Sequence, residues 1–220
     1  MKKILSLLMI TSMLFYGQAC SVSNGLAGLS PAKALQGVTS LLGVAQGSAL
    51  QGIGKNMLSN AVVNSVMPKE LKAITGALGN SQAGKVALNA INQAIGSTAP
   101  SLAKGVLGDA LKNIPASEAL NILKGGDNGA TNFLKNAVGG KLNNALTPAI
   151  TKALGGANIG NLVQSALGDS AGNLLGGNKP SLESLLSQAT SSGIFGLMGK
   201  AEEAERENPT DPLLQKIFKN

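Results

Sequence analysis

Histidine and tryptophan are absent from the 220 residues, and cysteine occurs once, at position 20. Without imidazole there is no histidine base to activate a serine or cysteine, and no ordinary zinc or transition-metal site. A lone cysteine closes no internal disulfide. Aromatic residues are scarce: beyond residue 19 only Phe133, Phe195 and Phe218 remain. Packing therefore falls to Leu, Ile, Val, Met and Ala, while glycine at 29 positions permits close helix approach. The three phenylalanines are expected in one core, because nothing else fills comparable volume. Arginine is nearly absent and no aromatic stacking platforms accompany the lysines, which argues against a nucleic-acid partner.

The N-terminus carries a short cationic start, Met1-Lys2-Lys3, and then an apolar or small-residue run of thirteen positions, residues 4–16. Spanning a bilayer takes roughly 20 apolar residues, whereas a secretory signal needs about 7 to 15. Residues 1–19 are therefore expected to be a signal peptide. Gly17-Gln18-Ala19 places small side chains ahead of Cys20, as either an ordinary signal peptidase or a lipoprotein peptidase requires. An unpaired thiol in an exported protein invites intermolecular oxidation, and thioether lipidation removes that problem. Cys20 is accordingly expected to be lipidated, with palmitate among its acyl chains; the alternative is a free thiol behind a plain signal. Ser21, rather than Asp, follows it, which favours the outer membrane, facing the periplasm.

Residues 20–29 then form a tether and 30–220 a single helical domain. Residues 20–180 carry twelve Lys against five acids, and residues 181–220 four basic groups against six, so the mature chain is net positive. Scattered lysines suit anionic lipid or envelope polysaccharide, or simply a solvated helical surface.

Apolar periodicity and stop signals predict an all-α fold. Ser30-Pro31 starts a helix with Leu35, Val38, Leu41 and Leu42 on one side, which Gly43 to Gly54 then loosen. Three Val ahead of Pro68 predict a short extended link near residues 61–67. A helix over "PKELKAITGALG" ends at Gly79, and the next runs from about Gln82 to Ile95. Ser97-Thr98-Ala99-Pro100 is expected to cap another, reaching about Asn113, and Pro115 to open a short one. Gly125-Gly126 stops it, and Asp127 is placed to cap its successor, which Gly139-Gly140 should end. A further helix over "KLNNALTPAITKALGG" is expected to bend at Pro148. Residues 155–180 are Gly/Asn-rich, with one short helix at 159–167 and otherwise expected to be mobile. Residues 181–208 give a long helix, and Pro212 opens a last amphipathic turn.

The segments "ALNILKGGDNGATNFLKNAVGGKLNNALTPAITKAL" and "SSGIFGLMGKAEEAERENPTDPLLQKIF" resemble the signature segments of the bacterial domain-of-unknown-function family numbered 4197. "MPKELKAITGALG" and "LGDALKNIPASEALNIL" fit its earlier part, so the likeness covers about residues 30–218. The resemblance implies an exported, largely helical domain with no established activity. One departure is local: Glu205 precedes Arg206 where the family usually has Ile.

Few residues invite chemistry, and no cofactor or metal is implied. Asp127, Asn128 and Thr131 form a candidate binding or structural loop, an N-cap in the first instance and an anion nest or oxygen-ligand cation site in the second. Asp109, Glu202 and Arg206 form a candidate polar site. Asp109 and Glu118 otherwise read as helix surface and first turn, and Glu202, Glu203, Glu205, Arg206 and Glu207 as a solvated face. Two functions fit: a non-enzymatic envelope lipoprotein binding an unidentified envelope protein or peptidoglycan-associated partner, or a carrier of an apolar ligand or lipid in a helical pocket.

Overall fold

Aliphatic side chains spaced at helical intervals fold the chain into α-helices around one aliphatic core. The computed structural model describes residues 26, 28–156, 159–168 and 180–219. Nine α-helices are described, with no strand among the described residues. They are α1 (Pro31–Asn56), α2 (Ala61–Val66), α3 (Lys69–Gly79), α4 (Gln82–Lys112), α5 (Ala116–Lys124), α6 (Gly129–Gly156), α7 (Ile159–Leu167), α8 (Leu182–Glu207) and α9 (Pro212–Phe218). Cys20 and the segment before it lie outside the described residues, as do 157–158 and 169–179, most of the stretch expected to be mobile.

Serines cap three of the helix starts, the expected one at Ser30 among them. Ser30 accepts from Lys33 N, Ser81 from Gly84 N, and Ser181 from Ser184 N. α7, α8 and α9 fall where the periodicity and prolines put them.

The extended link near 61–67 is corrected. Asn60 accepts from Val62 N at 3.0 Å and Val63 N at 3.4 Å, and α2 follows it, leaving only Met67 extended before Pro68. Val63 is buried against α8 at Gly193, so packing overrides the β preference of the three valines.

Three expected breaks are likewise absent. α1 runs unbroken to Asn56, α4 passes through Pro100, and α6 passes through Gly139-Gly140, while Pro148, read as a bend, lies inside α6. Gly96 serves close approach: a Cβ on it in α4 would stand 2.8 Å from the Gly54 carbonyl oxygen of α1. Those two helices meet almost backbone to backbone, which sustains them where propensity alone would end them. Before Pro100, the Ser97 and Thr98 hydroxyls donate to the Ala94 carbonyl inside the helix rather than capping a new one.

α8 is the central element, packed by α1, α2, α3, α6 and α9. Because it is covered on nearly all sides, small polar residues enter the core with partners: Thr190 Oγ1 donates to the Leu186 carbonyl at 2.6 Å, and Ser187 Oγ to the Glu183 carbonyl at 2.8 Å. Phe195 is buried, whereas Phe133 and Phe218 are half-buried and pack on the core from its edge. The core is thus aliphatic, with one of the three aromatic rings fully inside it.

Candidate functional site

The buried carboxylates gather where α8 meets the turn between α5 and α6. Gly126 adopts φ +77° in that turn, and α6 begins at Gly129 with backbone amides facing inward. Ala130 N donates to Glu202 Oε1 at 2.9 Å and Thr131 N to Glu202 Oε2 at 2.6 Å. Arg206, the chain's single arginine, completes the carboxylate's shell through Nε at 2.9 Å and Nη2 at 2.8 Å to Oε1. Its Nη1 donates to the Leu123 carbonyl at 2.7 Å and its Nη2 to the Ile122 carbonyl at 3.4 Å, at the end of α5. A carboxylate thus closes one helix N-terminus and a guanidinium one C-terminus, each matching the sign of the local dipole. The guanidinium also lies 5.1 Å from the Phe218 ring centroid, which ties in α9.

One turn further along α8, Glu205 is buried and holds the turn into α9. It accepts from Thr210 N at 2.6 Å, Asp211 N at 2.9 Å and the Thr210 hydroxyl. Asp211 then caps α9, accepting from Leu213 N at 2.8 Å and Leu214 N at 3.1 Å. The Leu214 amide holds the Asp211 carboxyl below its ordinary value, against partial burial and with help from Ser40 and the Leu213 amide.

These contacts correct the solvated-face reading of residues 202–207. Glu202 has no exposed surface and Glu205 little, while Glu207 is exposed. They also correct the cap: Asp127 is exposed two residues before α6 begins, and the amides it was expected to receive belong to Glu202. Asn128 lies against Gly199 of α8 and, with its amide nitrogen turned to that residue, donates to the Gly199 carbonyl at 2.6 Å. Thr131 is buried, with its backbone amide on Glu202. Asn128, Thr131, Glu202 and Arg206 therefore come together, whereas Asp109 stands exposed on α4, paired with Lys112 at 3.1 Å.

Chemically the cluster is saturated. Glu202 accepts four contacts, and its guanidinium partner is shared with two carbonyls, so neither is free to move a proton or grip a ligand. The one signal in the sequence was a glutamate four residues ahead of the lone arginine. Among the described residues no group of three or more Cys, Asp or Glu is placed to hold a metal ion.

Open space lies beside this clasp. Two adjoining clefts of about 430 and 380 Å³ run between α6 and α8 and share Lys135, Ser192 and Phe195 in their walls. A third, of about 560 Å³, lies between α1 and α4 and is lined by carboxamides, one of which, Asn92, already accepts from Leu58 N at 3.0 Å. Lys200, at one end of the α6–α8 groove, pairs with Glu203 at 2.6 Å, and that bond raises its ammonium above the ordinary lysine value.

The family described as "Protein of unknown function (DUF4197)" matches residues 28–219. No curated protein and no solved structure matches the chain.

Proposed function

The chain belongs to this family of unknown function, and we propose that it is a non-enzymatic envelope lipoprotein whose helical domain, tethered by lipid at Cys20, binds an envelope partner through the α6–α8 groove. The carrying observation is the saturation of Glu202: the most deeply buried charge has every oxygen engaged in joining α5, α6 and α8. An acid built into the fold in this way holds a surface in shape; it is not poised to react.

The groove beside it has the character of a binding surface. Asn132, Asn136 and Gln188 are exposed along it, on two long helices whose other faces are fixed in the core. A carrier of apolar ligands draws less support, because the clefts between α6 and α8 open to solvent and their walls are mostly carboxamides, hydroxyls and glycine. Among the described residues no helix is long and apolar enough to cross a membrane, so attachment is assigned to Cys20.

Two experiments test this reading. A photo-crosslinking residue in place of Gln188 should yield a discrete adduct in intact cells, and the same residue at exposed Lys33 should not; equal labelling at both would remove the groove as the binding surface. Cys20→Ser should move the protein from membranes to the soluble periplasmic fraction, and continued membrane retention would remove the lipid tether.

A further inference from the structure

We propose that the α6–α8 groove binds an acidic glycan, a chain of hydroxylated, N-acylated sugars bearing carboxylates. This rests on the reading of the domain as a binding module and names the chemistry of its ligand. The walls supply planar amides from both sides, Asn132 and Asn136 on α6 and Gln188 on α8, which suit the paired hydroxyls and acylamino groups of a sugar. Two further oxygens in the walls are buried with no protein partner: Thr131 Oγ1 in one cleft and Asn143 Oδ1 in the other. Thr131 is only 3% exposed, so its idle hydroxyl is a departure from the rule that buried polar groups are paired. Both atoms are closed off from solvent, so a turn of either side chain into its cleft is what would bring a sugar hydroxyl within reach.

Charge and shape narrow the ligand further. No Asp or Glu lines either cleft, and Lys135, at their junction, has no ion-pair partner among the described residues. Lys200, at one end, is already paired with Glu203. An elongated groove with an unpaired cation at its middle matches an anionic chain that places a carboxylate there. Phe195, 4% exposed, adds only a strip of apolar floor, and the missing side chain at Gly139 leaves room beside it, where a Cβ would touch the ring at 3.7 Å. A peptide fits less well: Val66 and Phe195 are the only apolar side chains in the walls, which leaves no pockets for alternate anchors.

Calorimetric titration of the full lipidated chain in detergent micelles tests the assignment with three probes. They are an oligosaccharide alternating N-acetylhexosamine and uronate, a neutral N-acetylhexosamine oligomer of equal length, and oligoglutamate. The acidic oligosaccharide is expected to bind, with affinity falling as salt rises, and the neutral one roughly tenfold more weakly for want of the lysine contact. Lys135→Gln, at an exposed position, should erase that difference, and Gln188→Ala on the opposite wall should weaken both sugars; circular dichroism shows whether each variant is folded. No binding of the acidic oligosaccharide, or unchanged affinity in folded Lys135→Gln, overturns the glycan assignment. Tighter binding of oligoglutamate than of either sugar overturns it too, while leaving the binding module standing. Sugar binding intact, with no adduct from Gln188 in cells, instead overturns the envelope-partner reading.

Discussion

Asp109 and Lys112 on α4 meet at 3.1 Å with side chains 76% and 77% exposed, whereas Glu202 and Arg206 on α8 meet at 2.8 Å with 0% and 10% exposed. In sequence both are an acid followed within one helical turn by a base. The first sits in water, which already solvates each partner, so closing the contact gains little. The second has left water, and what makes that tolerable is the ring of amides and carbonyls around it. Burial and the neighbouring helix ends, not the spacing of charges, decide which pair holds the fold.

Removing the buried acid is the strongest way to break that contrast. Glu202→Ala should cost about 3–5 kcal/mol, because it strands Arg206 and the Ala130 and Thr131 amides together. Urea unfolding followed by far-ultraviolet circular dichroism measures it, since beyond residue 19 there is no Trp or Tyr for fluorescence. A loss below about 1 kcal/mol would show that water replaces the carboxylate readily. A double variant, Glu202→Ala with Arg206→Met, sharpens the point: it should recover only part of the loss, since the two amides remain without an acceptor.

Glu205→Ala comes next, at about 1–3 kcal/mol, from the unpaired Thr210 and Asp211 amides it leaves behind. Thr210 lies nearer the surface, so water reaches these donors more easily than those at Ala130 and Thr131. The same unfolding measurement should rank Glu205→Ala below Glu202→Ala; the reverse order would make the α8–α9 turn the stronger clasp.

What the sequence disclosed follows the same division. Helices fixed by their own ends were readable, such as α7, α8 and α9, where Ser181, Pro212 and the apolar spacing act locally. Elements sustained by distant contacts were not. Gly96 and Pro100 look like stops until α1 is laid against them, and Gly139-Gly140 until the rest of α6 is packed on α4 and α8. The Val-rich segment at 61–66 turned helical because Asn60 caps it and Val63 packs at Gly193. In the candidate site, Asn128, Thr131, Glu202 and Arg206 were singled out, but not their union. The cap of α6 comes from a residue 72 positions away, and local capping rules point to Asp127 instead.

Asp211 supplies an intermediate case with a pH signature. Its carboxyl is held below the ordinary value by the Leu214 amide first. A depressed carboxyl adds stability above its unfolded value and loses it as pH falls through its folded one. Asp211→Ala should therefore cost about 1 kcal/mol near neutrality, the usual size of a lost N-cap. The gap between variant and parent should begin to narrow below about pH 4, where the unfolded carboxyl takes up its proton, and close as the folded parent's carboxyl follows at lower pH. Melting curves at neutral pH and at acid pH check both parts, and a gap independent of pH would assign the loss to packing rather than charge.

The smallest effect belongs to the exposed side of the comparison. Asp109→Ala removes a contact between two side chains that are both about three-quarters in water, and should shift stability by no more than about 0.5 kcal/mol. Asp127→Ala should be similarly quiet, because Glu202 already takes the amides at the start of α6. The two variants separate explanations that the buried pair leaves joined. If Asp127→Ala cost as much as an N-cap while Asp109→Ala did not, the α5–α6 turn would depend on its own acid as well as on α8. Equal silence from both leaves the whole charge-dependent stability of this end of the molecule with the carboxylates of α8 and the Asp211 cap that Glu205 holds in place.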